Sequence, residues 1–298
     1  LLNALLVTCL FFYYINWRPL KVFSKKSFQG LFSFGSKLLF SRLIHTLYYN
    51  LYAIVIGRRY SSAELGYYTR AEQLAIFPSS NINAIISRVT FPILSSIQDD
   101  DKRLALVYRK YIRLASFLIF PLMIGLAAVA EPLVSFLLTD KWLGTVLLLQ
   151  ILCLDWMLDH LSQINLNLLL IKGRSDLSLR LEIVKKIIAT LILIISIPYG
   201  IEIMCWGRVL YSVLATYMNS YYTNRLIGLS LKTQLRDIFP SLLLAAGMGI
   251  TVYYSISLFS SDLLKIIGGV VIGVVFYVMA SVILRIEEFK ELLLIIKK

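Results

Sequence analysis

Charged residues are scarce in this sequence: they make up 16% of its 298 residues, whereas 58% are hydrophobic. A soluble domain of this size would carry roughly 25% charged residues. The charged residues that are present cluster between long apolar runs. This pattern is typical of a helical membrane protein, because a helix satisfies its own backbone hydrogen bonds in lipid. It predicts an all-α bundle of spans about 20 residues long.

Cysteine and histidine are also rare, with three cysteines and two histidines in the whole chain. Cys9, Cys153 and Cys205 lie within apolar runs, and neither they nor the histidines have the spacing of metal ligands or an indicated disulfide partner. The sequence has no nucleotide-binding loop, nucleophile elbow or cofactor motif. We therefore predict no enzyme activity, no bound metal and no cofactor.

Acidic residues are outnumbered, with 17 of them against 30 basic residues and a net charge of +13. Nucleic-acid binding is one explanation of such a charge, but the basic residues lie at the ends of apolar spans. That is the distribution that the positive-inside rule produces. We expect these residues to set topology and to contact anionic headgroups, and we predict no nucleic-acid partner.

Apolar segments alternate with short polar turns and predict nine spans. Their approximate limits are 1–16, 31–56, 62–96, 114–138, 144–171, 178–198, 203–223, 238–258 and 263–284. An amphipathic connector on the membrane surface is expected at 99–113. The chain opens inside an apolar run, so we expect residues 1–16 to be the end of a longer span and the chain to be the C-terminal part of a longer protein.

Several local signals mark the ends of these helices. Ser61 and Glu64 fit a capping box that starts the third span. Pro78 is expected to kink or break that span. Gly173 is predicted to end the fifth span, with Ser175 or Asp176 as the N-cap of the sixth.

Lysine and arginine are distributed unevenly between alternate loops. One side of the membrane receives 19 of them and the other receives 4. By the positive-inside rule, the C-terminus and the 99–113 connector are cytoplasmic, and the elbow from Arg58 to Glu64 faces outside.

Polar residues within the predicted spans are candidates for function, because ionisable groups are costly at membrane depth. At about 100° per residue, one stripe of the second span, roughly 140° wide, carries several of them. A similar sector of the fifth span carries two aspartates near its middle. The substrate-binding candidates are Arg42, His45, Tyr49, Asn50, Arg70, Arg88 and Gln163, and the candidates for binding a coupling ion are Asp155 and Asp159.

Two interpretations of these residues stay open. In one, they line a hydrophilic lumen in which arginines hold an anionic substrate group and the aspartates bind H⁺ or Na⁺. In the other, the aspartates pair with arginines of neighbouring helices and only hold the bundle together. Arg88 and Arg208 either line this lumen or extend to the membrane interface, to which Lys185 and Lys186 are also expected to extend.

Several motifs occur in the order found in bacterial polysaccharide flippases. They are Gly57-Arg58-Arg59, Leu65-Gly66-Tyr67-Tyr68-Thr69-Arg70-Ala71 with Phe77-Pro78, Phe91-Pro92 with Ser95-Ser96-Ile97-Gln98-Asp99, Glu131-Pro132-Leu133-Val134 with Lys141-Trp142, and Gly173-Arg174-Ser175-Asp176-Leu177-Ser178-Leu179. The sequence thus resembles the oligosaccharide exporter branch of the multidrug/oligosaccharidyl-lipid/polysaccharide superfamily. It departs from the family at Thr139, where members usually carry a glycine.

The resemblance implies two lobes of helices around a central cavity and transport by alternating access. The implied substrate is a lipid-diphosphate-linked oligosaccharide, moved across the bacterial inner membrane for O-antigen or exopolysaccharide export. It implies glycan-assembly proteins as further partners. In these terms, residues 1–26 comprise the end of a truncated span and a basic interdomain loop. Residues 27–223 form the second lobe, with about six spans. Residues 224–298 form a C-terminal helix pair with a basic tail.

Other functions remain open at this point. A cation-coupled multidrug exporter of the same fold is the main alternative. A membrane glycan polymerase or ligase is disfavoured, because the predicted outside loops are short. A membrane scaffold without transport activity is the remaining alternative.

Overall fold

The computed structural model describes residues 2–15 and 23–296, so Arg18 and Lys21 of the predicted basic loop lie outside the described residues. Within that part of the chain, the secondary structure is entirely helical. The α-helices are α1 (Leu2–Tyr14), α2 (Lys25–Arg59), α3 (Ser62–Ser96), α4 (Asp101–Ala128), α5 (Ala130–Leu138), α6 (Thr145–Ile171), α7 (Ser175–Ser196), α8 (Ile201–Ile227), α9 (Leu231–Ser255), α10 (Asp262–Ile283) and α11 (Glu287–Ile296).

These helices confirm the predicted all-α fold, and α1 to α10 are consistent with about nine spans. By length and composition, four described segments are apolar enough to cross a membrane, namely 101–128, 145–171, 231–258 and 262–283. Helices α2, α3, α7 and α8 are long enough too, since 22 residues already rise ~33 Å. They fall short in apolarity because they carry the polar residues described below.

The segment 99–113 is not the separate surface connector that was predicted. Helix α4 runs without a break from Asp101, and the Asp100 side chain caps it by accepting the backbone N–H of Arg103 at 3.0 Å. Leu104, Tyr108 and Ile112 are buried at helical spacing. They extend the core-facing stripe of α4 towards its N-terminus, so packing joins this segment to the span.

Most of the predicted helix ends are confirmed. The Ser61 hydroxyl accepts the Glu64 N–H at 3.2 Å, and the Glu64 carboxylate accepts the Ser61 N–H at 2.9 Å. Gly173 follows α6 with a φ of +68°. The N-cap of α7 was predicted wrongly: it is Arg174, whose guanidinium binds the Asp176 carboxylate at 2.9 and 3.0 Å.

Helix α3 continues as a helix past Pro78 and ends at Ser96, so Pro78 does not break it, whereas a kink at Pro78 stays a prediction. Helix α6 lies at the centre of the fold, where it packs against α3, α4 and α8. Helices α2 and α7 pack together on one side. Helix α9 lies along α4 on another, and α10 packs on α9 and α5.

Glycines allow the close approach of the C-terminal helices. A Cβ at Gly249 of α9 would lie 2.3 Å from Ile124 Cγ2 of α4, well inside van der Waals contact. Gly269 and Gly273 of α10 similarly face Val252 of α9. A pair of small residues four positions apart is a common contact between membrane helices, because it lets the backbones come together.

Candidate functional site

A buried arginine joins three helices at the centre of the fold. The Arg208 side chain of α8 is only 13% exposed. Its guanidinium lies 2.5 Å from Glu72 Oε2 of α3 and 2.6 Å from Asp155 Oδ2 of α6. It also donates to the Tyr68 hydroxyl at 2.7 Å. Asp155 therefore pairs with an arginine of a neighbouring helix.

Aromatic rings surround this guanidinium. Its central carbon lies 5.6 Å from the ring centre of Tyr52 and 5.9 Å from that of Trp156. The Tyr52 and Tyr68 rings are stacked, with their centres 6.3 Å apart. Such rings favour a cation over their faces and exclude water, so they hold Arg208 in place.

The two carboxylates beside Arg208 are satisfied to different degrees. Asp155 Oδ1 accepts a hydrogen bond from the Ser212 hydroxyl. Glu72 Oε1 is buried, and no hydrogen-bond partner for it occurs in the described part of the chain. One guanidinium thus faces two carboxylates, which leaves one negative charge in excess if both are ionised.

A second ionic group lies on α7. The Glu182 carboxylate is 2.9 Å from Lys185 Nζ and 3.4 Å from Lys186 Nζ. Lys186 also donates to the Tyr211 hydroxyl at 3.1 Å and lies 4.5 Å from the ring centre of Tyr48. The side chains of Lys185 and Lys186 are 5% and 11% exposed, so the prediction that they extend to the interface was wrong.

Asp159 connects the two groups, because it interacts electrostatically with Asp155, Lys185 and Lys186. We call the combined set the buried ion cluster. Its members are Glu72, Asp155, Asp159, Glu182, Lys185, Lys186 and Arg208. Four acidic and three basic groups give it a formal charge of −1. An unbalanced charge within a helical membrane bundle is costly, so a proton or a cation would stabilise the cluster.

The other predicted site residues are not members of the buried ion cluster, although Gln163, partly buried on α6, hydrogen-bonds Asp159. Arg42, Arg70, Arg88, His45, Tyr49 and Asn50 are exposed. The Arg70 guanidinium donates to Gln73 at 2.8 Å and lies over the Trp142 ring. Asn50 donates to the Thr46 carbonyl of its own helix at 2.8 Å. The exposed arginines therefore do not pair with Asp155 or Asp159.

His45 and Tyr49 lie at the border between the exposed stripe of α2 and the buried ion cluster. His45 interacts electrostatically with Glu182, Lys185 and Lys186 of α7. Tyr49 interacts in the same way with Glu72 and Arg208. Both residues therefore link the exposed stripe of α2 electrostatically to the cluster.

Sequence analysis missed Glu182 and left Arg208 undecided. Glu182 lies three and four residues before Lys185 and Lys186, a spacing that favours ion pairs within a helix and could have revealed it. The aromatic partners of Arg208 carried no sequence signal, because they come from α2, α3 and α6.

A further buried polar network has all the features of a structural contact. Asn165 of α6 donates to Gln234 of α9 at 2.8 Å and accepts from Thr223 of α8 at 2.7 Å. Asn219 of α8 donates to the Ser162 hydroxyl at 2.8 Å. These hydrogen bonds tie α9 to α6 and α8, as polar side chains commonly do between membrane helices, although Asn219 Oδ1 is buried without a partner among the described residues.

Comparisons with known proteins agree with this architecture. Residues 1–147 match a family model described as "Polysaccharide biosynthesis protein". The chain is 30% identical over 239 residues to the "Teichuronic acid biosynthesis protein TuaB" of Bacillus subtilis strain 168, covering 80% of this chain and 50% of that protein. It is 31% identical over 187 residues to the "Lipopolysaccharide biosynthesis protein WzxC" of Escherichia coli strain K12, covering 62% of this chain and 38% of that protein.

The fold is similar to that of a solved structure titled "Lipid II flippase MurJ, inward closed conformation". The TM-score is 0.69 at 16% identity, over 94% of this chain and 59% of the other. The chain spans half or less of the length of both curated relatives named above. Together these matches confirm the predicted resemblance to bacterial polysaccharide biosynthesis proteins, and they indicate a multi-pass membrane protein whose fold is similar to that of the lipid II flippase MurJ.

Proposed function

From this confirmed resemblance, we propose that the chain forms the second lobe of a flippase for lipid-diphosphate-linked oligosaccharides. The transporter lies in the bacterial inner membrane with its C-terminus in the cytoplasm, and it works by alternating access. Its product serves O-antigen or exopolysaccharide assembly. The observation that carries the proposal is the match to polysaccharide biosynthesis proteins together with the flippase fold.

The exposed arginines are proposed to hold the substrate. A diphosphate carries negative charge and several acceptor oxygens, and arginine binds such groups with geometric specificity. Arg42 is the first candidate, since it is exposed on α2 and shares a stripe with His45, Tyr49 and Asn50. Arg70, Arg88 and Gln163 are further candidates for contact with the diphosphate or the glycan.

The buried ion cluster is proposed to couple transport to H⁺ or Na⁺. Its formal charge of −1 provides a site for one monovalent cation at Asp155 or Asp159. Binding of the cation would weaken the hold of the carboxylates on Arg208, which joins α3, α6 and α8. This gives a bundle with two arrangements whose balance an ion gradient can shift.

The test uses the full-length protein in vesicles that contain a fluorescent lipid-linked oligosaccharide. Arg42→Gln is expected to lower the initial rate of flipping at least tenfold, which corresponds to the loss of one charge-assisted contact. Arg58→Gln, an exposed arginine at the end of the same helix, is the matched control and should keep its rate. Equal rates for both variants would exclude a role of Arg42 in binding.

Ion coupling is tested separately in the same vesicles. Asp155→Asn and Asp159→Asn are expected to remove the acceleration that an imposed pH or Na⁺ gradient produces. Asp99→Asn, in an exposed turn, should keep it. If both cluster variants still respond to the gradients, the cluster is structural only.

A multidrug exporter of the same fold is the alternative within transporters. It is distinguished by substrate: movement of cationic dyes without movement of the lipid-linked oligosaccharide would favour it. Glycan polymerase or ligase activity is disfavoured because the structural neighbour is named for flipping. Polymer formation by the purified protein would overturn that conclusion.

A further inference from the structure

A second charged region lies outside the buried ion cluster, at the end of the bundle where α9 begins and α10 ends. A pocket of about 710 Å³ opens there between α4, the start of α9 and the turn from α10 to α11. It is lined by five basic and three acidic side chains. The pocket therefore has an excess of two positive charges.

Two of its arginines are neutralised by ion pairs that build the walls. The Arg109 guanidinium of α4 binds the Asp237 carboxylate of α9 at 2.6 and 2.7 Å. Arg113 of α4 lies 3.1 Å from Glu287 and 3.3 Å from Glu288 of α11. These pairs fix α9 and α11 against α4, and they account for all three acidic groups.

The remaining cations are free to bind a ligand. Lys232, Arg236 and Arg285 are exposed, and within the described residues their side chains make no ion pair or hydrogen bond. They come from two separate elements, the first turns of α9 and the turn after α10. Their charges therefore converge on the pocket from different sides.

Arg285 has an unusual backbone. Its φ is +52°, a left-handed conformation that glycine usually supplies where a helix ends. The turn is closed by a hydrogen bond from Ile286 N to Ser281 O at 3.0 Å. Glycine would adopt this conformation without strain, but it would not place a guanidinium at the pocket. A strained arginine here points to function.

Apolar residues complete the lining. Pro240, Leu284 and Ile286 contribute to the pocket beside the three cations. The pocket also lies where α10 ends and α9 begins, and these are two of the four described helical segments apolar enough to cross a membrane. The ends of such helices are expected at the level of the headgroups. A site that is cationic and apolar at this level matches a phospholipid, whose phosphate and acyl chains are neighbours.

We propose that this pocket binds the phosphate headgroup of an anionic membrane phospholipid. Basic pockets between membrane helices are suited to such headgroups. The lipid would bridge α9 and the α10–α11 turn, so it would stabilise the C-terminal helices against α4. A free phosphate or the diphosphate of the transported lipid shares the same chemistry, and the experiment distinguishes these sources.

The test measures thermal unfolding of the delipidated full-length protein in detergent. Phosphatidylglycerol is added in steps, with phosphatidylcholine, inorganic phosphate and undecaprenyl diphosphate in parallel. The wild-type Tm is expected to rise with phosphatidylglycerol and to stay constant with phosphatidylcholine and inorganic phosphate. In the triple variant Lys232→Gln, Arg236→Gln and Arg285→Gln, the half-saturating concentration should rise on the order of tenfold or more.

The matched control is Arg180→Gln with Arg225→Gln, which removes exposed charges from the same side of the bundle but not from the pocket. It should keep the wild-type response to phosphatidylglycerol. The proposal is overturned if the triple variant responds like the control, if inorganic phosphate alone reproduces the shift, or if only undecaprenyl diphosphate produces it. Native mass spectrometry of the same samples checks that added phosphatidylglycerol stays bound to the wild type and not to the triple variant.

Discussion

Arg208 and Arg42 are both arginines within predicted spans, yet their surroundings differ in almost every respect. Arg208 is buried, paired with two carboxylates and enclosed by aromatic rings. Arg42 is exposed on α2, and no ion pair of its side chain occurs in the described part of the chain. The first is a structural and electrostatic centre, whereas the second has its charge available for a ligand. Burial and partners, not residue type, separate the two roles.

Removal of Arg208 should give the largest effect on stability. Arg208→Met leaves Glu72 and Asp155 buried without their counter-charge, which should lower the free energy of unfolding by about 3–5 kcal/mol. Arg42→Met should change it by no more than about 0.5 kcal/mol, as is usual for an exposed residue. Reversible unfolding in mixed micelles measures both. Similar losses for the two variants would contradict the contrast between them.

The two carboxylates beside Arg208 should also differ from each other. Asp155→Asn disturbs the ion pair to Arg208 and the hydrogen bond from Ser212, so it should cost about 2–3 kcal/mol. Glu72→Gln should cost about 1 kcal/mol less, because both variants remove one negative charge but, among the described residues, Glu72 Oε1 accepts no hydrogen bond comparable to the one from Ser212. A larger loss for Glu72→Gln than for Asp155→Asn would contradict this difference in hydrogen bonding.

A smaller effect, in the stabilising direction, is expected at Thr139. This residue has φ +76° and ψ 165°, a conformation that is almost restricted to glycine. Thr139→Gly should therefore raise the free energy of unfolding by about 1 kcal/mol. Thr46→Gly, in the interior of α2, should lower it by a few tenths of a kcal/mol to about 1 kcal/mol. A loss of stability in Thr139→Gly would mean that the threonine side chain contributes more than the strain costs.

Local features of the chain were predictable in detail. The Ser61–Glu64 capping box, the turn at Gly173 and the start of α3 at Ser62 all follow from residues three or four positions apart. The sequence also indicated the strained position, because Thr139 stands where family members usually carry a glycine. Errors occurred where packing extends a helix, as at 99–113, where Leu104 and Tyr108 join α4 to the core.

The candidate site was predictable only in part. Asp155 and Asp159 were identified because carboxylates within an apolar span are rare. The arginine that pairs with Asp155 was not identified, since Arg208 lies on another helix, and its second carboxylate, Glu72, is 136 residues away from it in the chain. The burial of Lys185 and Lys186 also depends on α2 packing against α7, which no local pattern specifies.

The sequence by itself determined the helices, their caps, the membrane environment and the family resemblance. These depend on composition and on contacts between near neighbours in the chain. Only the tertiary structure decided which polar groups pair and which remain exposed. The physical reason is that a charge within a helix is neutralised by whichever helix packs beside it, and that choice depends on the whole bundle.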